Sequence, residues 1–239
     1  MDPNPRDPNP QPLKIGPPSP IESRLDTMNY ETIDVIYKSR LTLLKILAGR
    51  GYNTAPYEKF GPIEISAMVA VGDQALRMDL ERPAEGTTRL TKCTVIYSQN
   101  RVKTRMTSFI QQATGEESGF DPTTTEMIVM CLEPIVEAFH TAALSALSRK
   151  IHLTFFSAHT LVNNPLEHVL VPKHELLPSS EHKAFLTANK IKSKEHLPII
   201  RFHEDMIARI MGLVPGDIVK ITRPSPSAGT YDSYRVCSF

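Results

Sequence analysis

The sequence predicts an α+β protein in two units: a mixed α/β N-terminal domain, then a small C-terminal α+β domain, both behind a disordered proline-rich tail. Three observations predict this. Apolar residues recur at helical spacing in some stretches and gather into short continuous runs in others. Asn163-Asn164-Pro165 interrupts the pattern well past the middle of the chain. Eight of the first 20 residues are proline, which lacks the backbone donor that helices and ladders need. The expected boundaries are residues 1–26 for the tail, 27–162 for the first domain and 163–239 for the second.

The tail repeats Asp-Pro-Asn-Pro at Asp2 and at Asp7 and carries few large apolar residues. It reads as disordered or polyproline-like, a passive tail rather than a proline-motif docking peptide. A helix follows, with Ile33, Ile36, Tyr37, Leu41, Leu44 and Leu47 on its inner side and Gly49 and Gly51 at its end. Ile63–Val71, Ala75–Leu80 and Lys92–Tyr97 read as strands. Val102, Met106, Phe109 and Ile110 mark a second amphipathic helix. Met127–Leu132 is apolar throughout, as a strand buried on both faces would be. Pro134 is placed at the first position of a third helix, with Ile135, Phe139, Ala142, Ala143 and Ala146 inward and Arg149 and Lys150 at its C-terminus. Ile151–Phe156 reads as the last strand of this domain.

In the C-terminal unit, Ser179 or Ser180 is expected to cap a short helix with Glu181 in its first turn. A further helix is expected from His203 to Met211, with Glu204 and Asp205 in its first turn, Ile207 and Ile210 inward and Gly212 as terminator. Pro215-Gly216-Asp217 turns into a strand at Ile218–Ile221. A loop from Arg223 to Thr230, rich in Pro, Ser and Gly, joins it to a final strand at Tyr231–Cys237.

Composition excludes several function classes. The 27 basic and 26 acidic residues nearly balance, so nucleic-acid contact is expected to be local or shared rather than driven by net charge. The three cysteines, Cys93, Cys131 and Cys237, form no CxxC pair, which suits a reducing compartment with buried thiols. No apolar run reaches about 20 residues and no apolar leader opens the chain, so a soluble, intracellular protein with no membrane partner is expected. His168 and His174 flank one short run and His196 and His203 another, without cysteine ligands nearby; no metal site, cofactor or small-molecule ligand is expected. No P-loop and no GxSxG elbow is present. A metal-dependent nuclease needs an acidic residue beside an acidic-x-Lys on neighbouring strands. Asp79 and Glu81 lie near a strand, but Glu181-His182-Lys183 falls elsewhere, so this rival reading has little support.

Four stretches of the C-terminal unit carry a resemblance. They are Glu167-His168 with Leu170-Val171-Pro172-Lys173-His174; Leu197-Pro198-Ile199; Asp205 with Ala208-Arg209 and Gly212; and Pro215-Gly216-Asp217-Ile218-Val219-Lys220-Ile221, then Arg223 to Gly229, then Tyr231 and Tyr234-Arg235. In order and spacing they resemble the small assembly subunit shared by eukaryotic nuclear RNA polymerases and its shorter archaeal counterpart. Arg40, Leu44 and Arg50-Gly51-Tyr52 resemble, more loosely, the opening helix of the eukaryotic-type jaw domain, which the archaeal counterpart lacks.

The resemblance implies a non-catalytic subunit of a multisubunit DNA-directed RNA polymerase. Its C-terminal domain would dock on the largest subunit among the other polymerase subunits, and its jaw would lie near downstream duplex DNA. Carried over on the matching positions, the partner-binding residues are Lys173, His174, Asp205, Arg209, Gly216, Asp217, Lys220, Arg223, Ser225, Gly229, Tyr231, Tyr234 and Arg235. Arg223 and Arg235 suit carboxylates of a partner. The alternative is that Tyr231, Tyr234 and Val236 pack in the core while Arg235 is solvated. Arg101, Lys103 and Arg105 form a basic cluster at a strand-to-helix passage; phosphates are one expectation there and a solvated helix face the other. Where the family usually has Asp-Pro and an aromatic, this chain has Asp205-Met206 and Ile210. Those departures and the extra tail imply a polymerase outside the familiar nuclear set, such as that of a large DNA virus. The compartment would be the nucleus in a cell, or the host cytoplasm or virion for a virus. A free-standing transcription adaptor derived from this subunit is the rival within the same family.

Overall fold

Helix α1 (Tyr30–Gly49) forms where the sequence spaces its apolar residues at three and four, and it buries Ile33, Ile36, Leu43, Leu44 and Leu47. In the computed structural model of the chain, residues 30–83, 90–115 and 118–239 are described; the tail expected over residues 1–26 lies outside them. After α1 the chain turns at Gly51, and the Tyr52 amide donates to the Leu47 carbonyl at 3.0 Å.

The expected strand at Ile63–Val71 is a helix, α2 (Pro62–Val71). Pro62 opens it, and the Glu64 carboxylate reaches back to accept from the Gly61 amide at 3.0 Å. Its β-branched residues suggested a strand, but burial of Ile65 and Val69, four apart, follows the helical period. Ala75–Leu80 divides into a 3-10 turn (Asp73–Leu76) and strand β1 (Met78–Glu81).

Strands β2 (Lys92–Ser98), β3 (Thr125–Cys131) and β4 (His152–Ser157) run parallel, with β1 antiparallel on the edge beside β2. Every residue of β3 is buried, as its unbroken apolar run requires. Ile128 and Met130 face α1 and α2; Met127, Val129 and Cys131 face the other side. That other side receives α3 (Met106–Thr114) and α4 (Glu137–Ser148) through Ile110, Phe139, Ala143 and Ala146. Pro134 is not the first residue of α4. The helix opens three residues later, after an extended Val136.

The C-terminal unit is a second four-stranded sheet. Strands β5 (Lys173–Leu177), β7 (Ile218–Ser225) and β8 (Gly229–Ser238) are antiparallel neighbours, and β6 (Ile199–Arg201) lies parallel to β8. Neither β5 nor β6 stands out in the sequence, because both are short edge strands stabilised by their partners. The ladder between β7 and β8 continues to Ser225 opposite Gly229, so the expected long loop shrinks to Pro226–Ala228. Helix α5 (His182–Ala188) follows Glu181, not Ser179 or Ser180, and no side chain caps it. Helix α6 (Met206–Met211) starts later than expected. Asp205 is its cap, accepting from the Ile207 and Ala208 amides.

The two sheets share packing. Val219, Ile221, Cys237 and Ile200 from the second sheet, with Ala208 of α6, join Phe155, Leu153 and Val129 of the first sheet in one apolar cluster. Ile210, further along α6, enters the cluster of α1 and α2. The opposite face of the second sheet packs Ile218, Val236 and Leu197 with Phe185 and Leu186 of α5.

Candidate docking site

The β7–β8 hairpin sorts the expected partner-binding residues by strand alternation. Lys220 pairs with Tyr234 and lies on the same face as Lys173; Arg223 pairs with Tyr231, and with His174, Ser225 and Arg235 lies on the other. The half of the hairpin nearest the first sheet is buried through Ile218, Val219 and Ile221, whereas Tyr231 at the far half is 47% exposed. The far half is therefore the part that presents side chains.

Several of the thirteen residues have employment inside the fold. Asp205 caps α6. Arg209 donates from Nη1 to the Phe155 carbonyl at 3.0 Å and lies over the Phe156 ring. The Gly216 amide donates to the Cys237 carbonyl at 2.9 Å. Asp217 accepts from the Val214 amide at 2.9 Å, and burial holds its carboxyl above the usual range despite that bond. Arg235 donates to the Ile199 carbonyl and so ties β8 to β6. Tyr234 stacks on Phe185, with centroids 4.3 Å apart, and Val236 is buried. The core-packing alternative thus describes Tyr234 and Val236, but not the exposed Tyr231.

What remains near the surface is Lys173, His174, Lys220, Arg223, Ser225, Gly229 and Tyr231. Lys220 and Asp232 form a 3.0 Å ion pair, and Thr222 donates to the same carboxylate. These bonds hold Asp232 below the usual carboxylate range and Lys220 above that of a free lysine. Arg223 differs: its Nε is buried with no hydrogen-bond partner among the described residues. Sequence reasoning missed the apolar rim beside these residues, Val169 (93% exposed), Leu170 and Leu176. The signal lay in the Leu170-Val171-Pro172 run of the first motif, an apolar stretch too short and proline-bound to be core.

The basic cluster departs from its expectation in one respect. Arg101, Lys103 and Arg105 are exposed, but the amides of Val102 and Lys103 donate to Oε1 of Glu133 at 2.7 and 2.9 Å. A carboxylate of the chain itself occupies the seat a phosphate would take. Phosphate contact here would rest on side chains alone.

Asp79, the residue a nuclease would need, is engaged otherwise. Arg77 donates to both of its oxygens and Thr94 donates to Oδ1 at 2.8 Å, while Glu81 pairs with Lys92. Among the described residues, no three His, Cys, Asp or Glu side chains group to hold a metal.

Between the sheets lies a polar seam that the sequence did not announce. His203 is buried in the left-handed region, φ 60°. Its Nε2 accepts from the Phe155 amide at 2.9 Å, and its Nδ1 lies 2.9 Å from Nδ1 of His140. Within the first unit, Arg50 after α1 pairs with the buried Glu126 of β3 at 2.8 Å. Burial alone would raise the Glu126 carboxyl, but the Arg50 charge and hydrogen bond hold it low.

Four similarities to known proteins bear on this architecture. The family model described as RNA polymerase Rpb5, C-terminal domain, matches residues 163–237. The chain is 46% identical over 71 residues to DNA-directed RNA polymerase subunit Rpo5 of Methanosarcina barkeri, a match covering 30% of this chain and 88% of that protein. It is 40% identical over 111 residues to DNA-directed RNA polymerases I, II, and III subunit rpabc1 of Dictyostelium discoideum, covering 46% of this chain and 55% of the relative. The match thus spans about half the length of that relative. To the RPABC1 subunit of Caenorhabditis elegans it is 26% identical over 216 residues, 84% of this chain and 94% of the relative.

Proposed function

The chain belongs to the RNA polymerase Rpb5 family, and on that basis we propose that it is a non-catalytic subunit of a multisubunit DNA-directed RNA polymerase. Residues 163–239 dock on the largest subunit, and residues 27–162 act as a jaw near downstream DNA. The observation that carries this reading is the match over residues 163–237, the unit that exposes the far half of the hairpin.

The geometry supports docking there. Lys173, His174, Lys220, Arg223, Ser225, Gly229 and Tyr231 form the contact surface, with Val169, Leu170 and Leu176 as its apolar rim. A partner carboxylate gives Arg223 the acceptor that its Nε lacks among the described residues. Tyr234 and Arg235 support this surface from within the sheet, and Asp205, Arg209, Gly216 and Asp217 build the fold beneath it. In the jaw, Arg101, Lys103 and Arg105 meet phosphates through their side chains. The compartment follows the polymerase: the nucleus in a cell, or the host cytoplasm or virion for a virus.

The test is recovery of the tagged chain from its native source, with the stoichiometry of what accompanies it. Equimolar recovery with the two large polymerase subunits is the expected result. Recovery alone, or with sub-stoichiometric polymerase, would replace this reading with the adaptor.

A further inference from the structure

Helix α2 is apolar nearly all round. Of its ten residues only Glu64 and Ser66 are polar, and Glu64 is occupied by the Gly61 amide. Ile65 and Val69 are buried against α1 and the first sheet. On the outer side Ile63 (82% exposed), Ala67 and Val71 (68% exposed) form a second apolar stripe at positions four apart. A helix apolar on both sides is one that is covered on both sides. An exposed helix needs only polar residues there, since helix propensity gives no reason to place isoleucine and valine in water.

The size of the stripe says what kind of partner covers it. Three side chains along one short helix present roughly 300 Å² or less, at the low end of functional surface patches. A free-standing pair of proteins needs about 800 Å² from each partner. A second copy of this chain, meeting α2 alone, falls well short. An element already held beside the chain by other contacts does not need that area, because tethering makes its binding intramolecular. Lys59, exposed just before the helix, has no ion pair among the described residues.

We infer that the Ile63–Ala67–Val71 stripe of α2 is a second docking surface, taking an amphipathic helix of a neighbouring polymerase component. That helix brings aliphatic side chains at three- and four-residue spacing and a carboxylate to meet Lys59. The inference rests on the subunit reading and lies outside the hairpin surface.

The experiment places benzoyl-phenylalanine at Ala67 in the full chain, assembled into polymerase from its native source, and maps the photo-adducts. Adducts on a helical segment of another polymerase component are expected. They should fall about tenfold or more in an Ile63→Asp/Val71→Asp background, with the free chain melting as the unsubstituted protein does. Adducts confined to the chain itself, including residues 1–29, or to a second copy would overturn the inference. So would the absence of adducts in a polymerase holding the chain at equimolar level, or a lowered melting temperature of the free double variant. If the unsubstituted chain fails to enter the polymerase at all, the subunit reading falls and this inference with it.

Discussion

The Nδ1 atoms of His140 on α4 and His203 before α6 lie 2.9 Å apart, and the bond between them ties a helix of the first unit to the second unit. Its direction follows from a second bond. Because the Phe155 amide donates to Nε2 of His203, that nitrogen is unprotonated. A neutral His203 therefore carries its proton on Nδ1 and donates to His140, whose own proton sits on Nε2. Adding a proton to His203 removes the acceptor for a buried amide, in a site already facing the Arg209 guanidinium.

Acid should therefore weaken the molecule at this seam first. Burial, then the Arg209 charge and His140, push His203 down to about 3 from an ordinary 6.5. Below pH 6.5 the unfolded chain takes up a proton that the folded chain refuses. Stability contributed by neutral His203 is thus full above that pH and declines toward pH 3, by up to about 1.4 kcal/mol per pH unit. Glu126 is held low instead, so its contribution is lost only below its ordinary 4.5. Thermal melts between pH 7 and pH 5 avoid Glu126 but include His152, which burial also holds below the ordinary histidine value, so the variant has to separate the two. A His203→Gln variant should start less stable and show a flatter slope; an unchanged slope would remove His203 as the cause.

Gly212 should tolerate no side chain. It ends α6 at φ 66°, and an added Cβ would clash with Nη2 of Arg50, which Glu126 holds in place. Gly212→Ala is expected to cost about 2–3 kcal/mol in urea unfolding, combining left-handed strain with displacement of a buried ion pair. Gly216→Ala, at φ 95° with no atom within 4 Å of its Cβ, should cost only about 1 kcal/mol.

The Arg50–Glu126 pair should be worth more broken than replaced. Arg50→Met leaves a carboxylate buried without its counter-ion and should cost about 3–5 kcal/mol. Arg50→Met combined with Glu126→Gln should recover part of that loss. Denaturant midpoints of the two variants decide it, and equal losses would mean that packing, not charge, sets the cost.

Arg223→Ala with Tyr231→Ala should leave the free chain within about 1 kcal/mol of its original stability, since both lie beyond the shared core. The same pair should lower equimolar recovery with the large polymerase subunits. Separately, alanine at Arg101, Lys103 and Arg105 should reduce the salt dependence of downstream DNA retention by the assembled polymerase. A slope identical to that of the unsubstituted enzyme would assign these side chains to solvent.

Elements whose signal is local were legible in the residues alone. The period of α1, the unbroken apolar run of β3, the turn into β7 and Gly212 as the end of α6 all follow from residues within a few positions of one another. The motifs of the C-terminal unit were legible for the same reason. Tertiary structure decided α2, where β-branched residues that favour a strand in isolation were overridden by Pro62, the Glu64 cap and a place against α1. It decided β5 and β6, which are strands only because β7 and β8 offer them partners. It also decided which motif residues face a partner: Arg209 looks as available as Arg223 in the sequence, yet it lies against Phe155. The polar seam belongs wholly to this second class. His140 and His203 stand 63 positions apart, and Arg50 and Glu126 stand 76 apart, so no local period could pair them. Packing of α1 on the first sheet brings Arg50 to Glu126, and docking of the second unit brings His203 to His140; both remove the water that would otherwise have satisfied these groups.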